Sequence, residues 1–392
     1  MNFDQITDRK EYPALKWNKS MLTQHFGNDG ALPFWVADMD FRSPDVVIDS
    51  LIKRSEHGIF GYEYKKENYF DALVNWYENR HRWLIDLNHI EFCPSVLNGI
   101  SILINQHSDK GDGIIIQPPV FFEFRLVIRS NNRNIIKNPL NVVDGKYQMN
   151  FDDLEEKAAN PKTKIMIICN PHNPVGRVWT RGELSRAGEI CRQHNVLLIS
   201  DEIHGDIVYK PHQYTPFSSI SDELARISAT CLSPAKTFNI SGVIDAMTVI
   251  ANEEYRDRFH EFAHRYHINK TNVFASAAIE AAYSQGGKWL DELLSYLRAN
   301  IDFLKSYLHD NLPQVRLIEP EGTYLAWLNF EELGLDAKEL EKFLAQKAQL
   351  ALNSGYWFGR EGAGYSRMNI ACPKSILHEA LLRLTNAARK HL

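Results

Sequence analysis

The chain has 392 residues, 44% of them hydrophobic and 24% charged, with a net charge of −5. That length exceeds one ordinary core and predicts two domains, and the mildly acidic balance excludes a global attraction to nucleic acid or to an anionic membrane surface. No apolar run approaches a membrane span, Met1-Asn2-Phe3-Asp4-Gln5 lacks the basic and apolar blocks of a leader, and the five scattered cysteines, odd in number and without C-x-x-C spacing, read as reduced thiols of a cytoplasmic protein.

Residues 1–43 read as an arm, rich in aromatics (Trp17, Phe26, Phe34, Trp35, Phe41) but without sustained periodicity. Pro44 opens a helix, with Ser43 as its expected cap. Further helices are expected over 71–82 and 98–107. From about residue 112 short apolar runs alternate with helical stretches. Strands are expected at 114–116, 164–169, 196–199 and 227–232, with helices at 123–129 and 181–194. This alternation predicts a mainly parallel sheet clothed by helices. Beyond Asn272 a long helical stretch carries Leu290, Leu293, Leu294, Leu297, Ile301 and Leu304 at helical spacing. From about 313 a strand at 325–328 and helices at 337–349 and 375–388 suggest a smaller α+β domain. The expected division is an N-terminal arm over 1–43 that is also part of the small domain, a large domain over 44–285 and a small C-terminal domain over 286–392.

Three segments carry the chemistry: Asn170-Pro171-His172-Asn173-Pro174-Val175-Gly176, Ser200-Asp201-Glu202-Ile203-His204 and Ser233-Pro234-Ala235-Lys236. In parallel sheets, sites lie beyond the carboxyl ends of the strands, so segments far apart in sequence meet on one rim. Lys236 is either a solvated surface lysine or an amine that forms an imine with an aldehyde cofactor and then removes a substrate α-proton. Asp201 ends a buried run, where a negative charge is costly unless a cation faces it; a protonated pyridine nitrogen is such a cation. The rival readings are a turn residue, or a metal site with Glu202 and His204. Asn173 is an Asx-turn residue or a donor to a ring oxygen. His172 and His204 are ambiguous, and stand at most behind the contacting groups. Ser233 is a phosphate donor candidate. So is the helix introduced by Pro94-Ser95-Val96-Leu97, whose free N–H groups and dipole suit an anion. Arg367 is the candidate for a substrate carboxylate, because its planar fork matches one with two bonds; a surface salt bridge is the alternative.

Taken in order, N-P-x-N-P-x-G, D-E-x-H, S-x-x-K and R-x-N-x-A resemble the fold-type I pyridoxal-phosphate aminotransferase superfamily. Trp35-Val36-Ala37-Asp38-Met39-Asp40-Phe41, Gly61-Tyr62, the run from Lys236 to Gly242, and Asn369-Ile370-Ala371-Cys372-Pro373 resemble one subgroup, the bacterial carbon–sulfur β-lyases of the cystathionine β-lyase type. The resemblance implies an aspartate aminotransferase-like α/β fold, with a mainly parallel seven-stranded sheet in a large cofactor-binding domain and a smaller α+β domain. It implies pyridoxal 5'-phosphate on Lys236, with Asp201 on the ring nitrogen, Asn173 on the ring hydroxyl and Phe121 stacked on the ring. Ser233, Val96, Leu97 and His204 complete the cofactor set, and Arg367, Trp35 and Asn173 face the substrate. Tyr62 is implied to reach the phosphate of a neighbouring subunit in a homodimer. The implied reaction is β-elimination of cystathionine or cysteine conjugates to pyruvate, ammonia and a thiol. Transamination on the same scaffold and a regulatory role through protein binding are the alternatives. There are departures: Phe121 stands where tyrosine is usual, Ala235 where serine is common, and Ile244 where many aminotransferases place a phosphate-binding arginine.

Overall fold

A computed structural model describes residues 1–243 and 245–391; Ile244 lies outside them. Among the described residues seven strands form one sheet: Ile90–Cys93 (β1), Gly113–Ile116 (β2), Asn134–Lys137 (β3), Thr163–Cys169 (β4), Leu197–Asp201 (β5), Ser228–Leu232 (β6) and Ala246–Val249 (β7). Their spatial order is β1-β7-β6-β5-β4-β2-β3. β7 pairs antiparallel with both neighbours, and the remaining pairings are parallel. Every residue of β2, β5 and β6 is buried, as a sheet covered on both faces requires, and this is why 114–116 and 197–199 read as apolar runs, while β6 keeps Ser228 and Thr230 inside it. β1, β3 and β7 escape the sequence reading. Glu91, Asn134 and Thr248 leave each with no more than two adjacent apolar residues.

The helix Val96–His107 starts two residues earlier than expected, capped by Ser95, whose Oγ accepts from the Asn98 N–H at 3.2 Å. Gly99 lets this helix lie close on the sheet. A Cβ there would sit 2.9 Å from Thr248 Oγ1 and 3.2 Å from Cys93 Sγ. The helix N-terminus is thereby fixed at the sheet rim.

The arm is ordered by contacts rather than by periodicity. It contains a helix, Lys19–Phe26, capped by Asn18. Leu32–Pro33 pairs in parallel with Leu350–Ala351. Lys16 is fully buried and ion-paired with Asp40 at 2.6 Å, and Arg9 reaches Asp38 at 2.6 Å and Asp40 at 2.9 Å. Ser43 is not a helix cap. Pro44 takes that position before Asp45–Glu56, and Ser43 Oγ donates to the Asn239 carbonyl at 3.1 Å.

The helical stretch after Asn272 divides at Gly286 into Val273–Gln285 and Gly287–Asn311. A side chain at Gly286 would meet the Phe238 ring at 2.5 Å, so this break packs directly on the lysine-bearing segment. A second sheet joins Arg316–Ile318 (β8), Leu325–Asn329 (β9), Asn353–Ser354 (β10) and Tyr365–Asn369 (β11) in the order β8-β9-β11-β10, all antiparallel. The helix expected over 337–349 is shorter, Ala337–Lys342, and continues as a π-helical turn over Phe343–Lys347.

Candidate active site

The parallel strands place their carboxyl ends on one rim. Asp201 is the last residue of β5, the turn 170–176 follows β4, and Ser233 follows β6. The lysine turn is held by the Phe238 N–H, bonded to the Pro234 carbonyl at 3.0 Å. Asn239, at φ +56°, closes it. The Asn239 side chain accepts from the Met39 N–H at 2.9 Å and donates to the Met39 and Phe41 carbonyls at 3.1 and 2.8 Å. The arm is thereby stitched to the turn, and Lys236 Nζ donates to the Ala37 carbonyl at 2.6 Å. Burial draws the Lys236 amine down to about 8; Asp38 opposes this, Arg367 adds to it, and Asp201 opposes it.

Asp201 is buried, and its Oδ1 accepts from the Ile203 N–H at 3.1 Å. Burial pushes its carboxyl up to about 6, against the Ile203 N–H and the Lys236 charge. Among the described residues no cation forms a salt bridge with it. Glu202 turns the other way, accepting from Ser200 Oγ at 2.6 Å, from the Phe217 N–H at 2.9 Å and from the Tyr214 hydroxyl. Asp201, Glu202 and His204 therefore do not converge as metal ligands, and among the described residues no cluster of three such side chains forms elsewhere.

Arg367, on β11, is buried. Its Nη1 donates to Asn173 Oδ1 at 3.0 Å, and its Nη2 donates to the Trp35 carbonyl at 2.8 Å and Asn353 Oδ1 at 2.7 Å. The Phe358 ring lies 5.0 Å from the guanidinium carbon. Every one of these partners is neutral, the Nε has no partner, and among the described residues no carboxylate pairs with this arginine. Burial lowers its pKa to about 9. The surface salt bridge is thus ruled out as its role. His204 stands edge-on to Tyr324 at 5.8 Å with Nδ1 unpartnered. Burial, then the positive charges of Lys236 and Arg367, bring it to about 3, so its imidazole is neutral. His172 is likewise brought to about 4, chiefly by burial, and its Nε2 bonds the Pro119 carbonyl at 2.9 Å, which ties the 170–176 turn to the segment before Phe121.

The other expected residues are placed less uniformly. With Ser95 capping Asn98, the Val96 and Leu97 N–H groups are the free donors of the helix end. Ser233 is already committed: its hydroxyl donates to the Asp245 carbonyl at 3.1 Å and accepts from the Ala235 N–H at 3.3 Å. Phe121 is half-buried, 5.3 Å from the Phe122 ring centroid and 5.6 Å from that of Phe124. Trp35 meets Arg367 through its backbone, while its indole N–H goes to the Lys16 carbonyl at 3.1 Å. Tyr62 is not brought into the site. It is 99% exposed, and the Lys270 ammonium lies 5.9 Å from its ring. The sequence reading misses Asn353 and Tyr324, whose hydroxyl donates to the Ala37 carbonyl at 3.0 Å. A polar residue breaking off the apolar run Leu350-Ala351-Leu352 is the one hint of Asn353.

A buried carboxylate at the end of a parallel strand and a buried arginine on the antiparallel sheet, both without a counter-ion among the described residues, mark the class: an α/β enzyme whose ligand must complete its own site. Residues 37–384 match the family model Aminotransferase class I and II, and the chain belongs to that family. It is 40% identical to the cystathionine β-lyase PatB of Bacillus subtilis (strain 168), over 99% of this chain and 100% of that protein. Among solved structures it is similar to cystalysin from Treponema denticola, which contains a pyridoxal 5'-phosphate cofactor, with a TM-score of 0.95, 33% identity and 99% of each chain covered. The cofactor-bound C–S lyase from Staphylococcus hominis is also similar, with a TM-score of 0.90, 30% identity and 100% of each chain covered.

Proposed function

We propose that this chain is a pyridoxal phosphate-dependent carbon–sulfur β-lyase, which with water converts a sulfur amino acid such as cystathionine to pyruvate, ammonia and a thiol. The observation that carries the site chemistry is Arg367, a buried cation bonded to neutral partners alone beside an amine of lowered pKa. The kinship with PatB over its whole length selects elimination from the reactions open to such a site.

The residues present fit the cofactor. Asp201 is a buried carboxylate lacking a cation, and a ring N–H supplies one. The Val96 and Leu97 N–H groups suit a phosphate at a helix end. Lys236 supplies the tethering amine, Asn173 and the neutral His204 suit the ring oxygen, Phe121 offers a π face, and Ser233 joins the phosphate by releasing the Asp245 carbonyl. When bound, pyridoxal phosphate supplies an electron sink for the pair freed at the substrate α-carbon.

Arg367 grips the substrate α-carboxylate with two charge-assisted bonds, and the Trp35 carbonyl and Asn353 hold the guanidinium plane in place. Lys236, released from the Ala37 carbonyl, takes the α-proton at Nζ, the step that must precede departure of sulfur from the β-carbon. Its pKa near 8 suits a base working close to neutral pH. Tyr62, fully exposed on its own chain, serves the phosphate of a second copy, so the working unit is a homodimer. The chain divides accordingly into an arm over 1–43, a cofactor domain over 44–285 and a smaller domain over 286–392, a division the two separate sheets support.

The test is an absorption spectrum of purified protein followed by borohydride reduction and peptide mapping, alongside assays of thiol and pyruvate from cystathionine. A visible band, its loss on reduction and an adduct on Lys236 are expected. Lys236→Ala is expected to lower the rate by more than about 10²–10⁴, because tether and base go together. Amino-group transfer to a keto acid without thiol release counts against the lyase.

A further inference from the structure

We propose that Asp206, hydrogen-bonded to His81, is the positioning residue for Lys236 and acts through the hydroxyl of Thr237. This rests on the reading of Lys236 as the working amine. Asp206 is buried, and its carboxylate is shared between two elements. Its Oδ2 accepts from Thr237 Oγ1 at 2.7 Å. Its Oδ1 accepts from Trp76 Nε1 at 3.0 Å and lies 2.7 Å from His81 Nε2, both residues of the helix Glu67–His81. Thr237 is 1% exposed and directly follows Lys236.

The lysine turn is therefore gripped from two sides. Asn239 fastens it to the arm, and Thr237 fastens it to the Asp206 carboxylate. The Lys236 side chain itself makes one hydrogen bond among the described residues, to Ala37. Its orientation depends on the backbone that carries it. Loss of the Thr237 anchor removes the side-chain hydrogen bond to Asp206 on that face and leaves the Phe238 ring packing against Trp76 and Tyr283 there.

The arrangement is costlier than structure requires. A buried threonine hydroxyl is satisfied by a nearby backbone carbonyl. Here it takes a buried carboxylate, which must be desolvated and needs further hydrogen-bond donors, supplied by Trp76 and His81. The surroundings are apolar and aromatic: Trp76 lies 5.3 Å from the Phe238 ring centroid and 5.4 Å from that of Tyr283. Charged and titratable groups around Asp206 are His81, Arg80, Tyr77, Tyr214 and Tyr283. The His81 ring stands edge-on to Tyr214 at 4.8 Å, and the Tyr214 hydroxyl bonds Glu202, the neighbour of Asp201. One side-chain circuit thus runs from the residue after Lys236 to the residue after Asp201.

The experiment compares holoenzymes carrying Thr237→Val, Thr237→Ser and Asp206→Asn. Each is read by pH titration of the visible absorption band, by kcat and KM separately, and by thermal midpoint. Thr237→Val keeps the shape and removes the hydroxyl. It is expected to lower kcat roughly 10- to 100-fold, as a misplaced reacting group does, with KM within about twofold. The titration midpoint of the band is expected to move by at least about half a unit. Thr237→Ser restores both, and Asp206→Asn shifts both in the same direction as valine. The proposal is overturned if Thr237→Val keeps the wild-type kcat and band midpoint, whatever happens to its thermal midpoint, or if serine is as impaired as valine. Should the valine protein not fold, Asp206→Asn decides alone by the same titration. The band reports on the amine and not on the reaction type. Wild-type protein that shows the band but releases no thiol refutes the lyase reading and leaves this proposal testable.

Discussion

Arg367 and Asp201 carry opposite charges, and among the described residues neither is neutralised by a salt bridge. Each therefore predicts its ligand. Arg367→Lys keeps the charge and loses the fork. Hydrogen bonds to charged groups contribute about 1.5–3 kcal/mol, so kcat/KM for the amino acid is expected to fall roughly 10- to 100-fold. Steady-state kinetics check this, and an unchanged kcat/KM removes Arg367 from the carboxylate site. Asp201 gives a prediction in stability. Its folded-state pKa of about 6 lies above the ordinary value of 3.8. Between those values the folded chain freed of cofactor binds more protons than the unfolded chain, so stability from this group falls as pH rises through that window. The difference corresponds to roughly 3 kcal/mol above pH 6. Asp201→Asn is thus expected to stabilise the cofactor-free protein at pH 7, with the gain fading toward pH 4, and to weaken cofactor retention. Urea unfolding at both pH values measures it; a cofactor-free asparagine variant no more stable than wild type at pH 7 contradicts it. The segments that carry Lys236, Asp201 and Asn173 were legible as neighbours on one rim because each follows closely on a buried strand. Asn353, Tyr324 and Asp206 were not, because their partners are set by chain crossings that no linear spacing records.

At the scale of elements the arm decides how the lysine is presented. Residues 37–41 hang between the Lys16–Asp40 pair and the Asn239 side chain. Removing one partner of a buried pair costs about 3–5 kcal/mol. Arg9 still faces Asp40 after Lys16→Met, which places the expected loss near the lower end, about 3 kcal/mol. The same variant is expected to raise KM, because the Trp35 carbonyl that holds Arg367 travels with the arm. Denaturant unfolding and substrate titration report the two effects, and an unaltered unfolding midpoint argues that the arm is not anchored there. The central strands β2, β4 and β5 could be read directly, since burial on both faces gives them the apolar runs 114–116, 165–169 and 197–199, and β6 could be read from its place between turns although Ser228 and Thr230 lie inside it. The arm could not. Its helix is two turns long, its strand pairs with residues three hundred positions away, and Ser43 serves Asn239 instead of a helix end.

The molecule as a whole exposes apolar surface around the one expected site residue that its own site does not contain. Ile59 is 68% exposed, Phe60 55%, Tyr62 99% and Tyr64 79%, all within one segment. Exposed apolar side chains grouped in this way mark an interaction surface. In the proposed homodimer a second copy docked by twofold symmetry would cover two such segments at once, and each Tyr62 would enter the other chain's site. Hybrid formation separates this from a role within one chain. Lys236→Ala protein lacks the amine, and Tyr62→Ala protein lacks the phosphate contact; each alone is impaired. Mixed and allowed to exchange subunits, they form hybrids in which one site has both defects and the other has neither. Random exchange makes half the dimers hybrid, so about a quarter of all sites regain full function. Activity at limiting cofactor, followed by sedimentation to show exchange, is expected to rise toward that quarter. If Tyr62 served its own chain, no hybrid site would be whole and mixing would only average the two parents. Phe60→Asp, which buries a charge in the same contact, is expected to yield monomers and to release cofactor together. A monomer that keeps its cofactor as firmly as wild type breaks the link between association and the site.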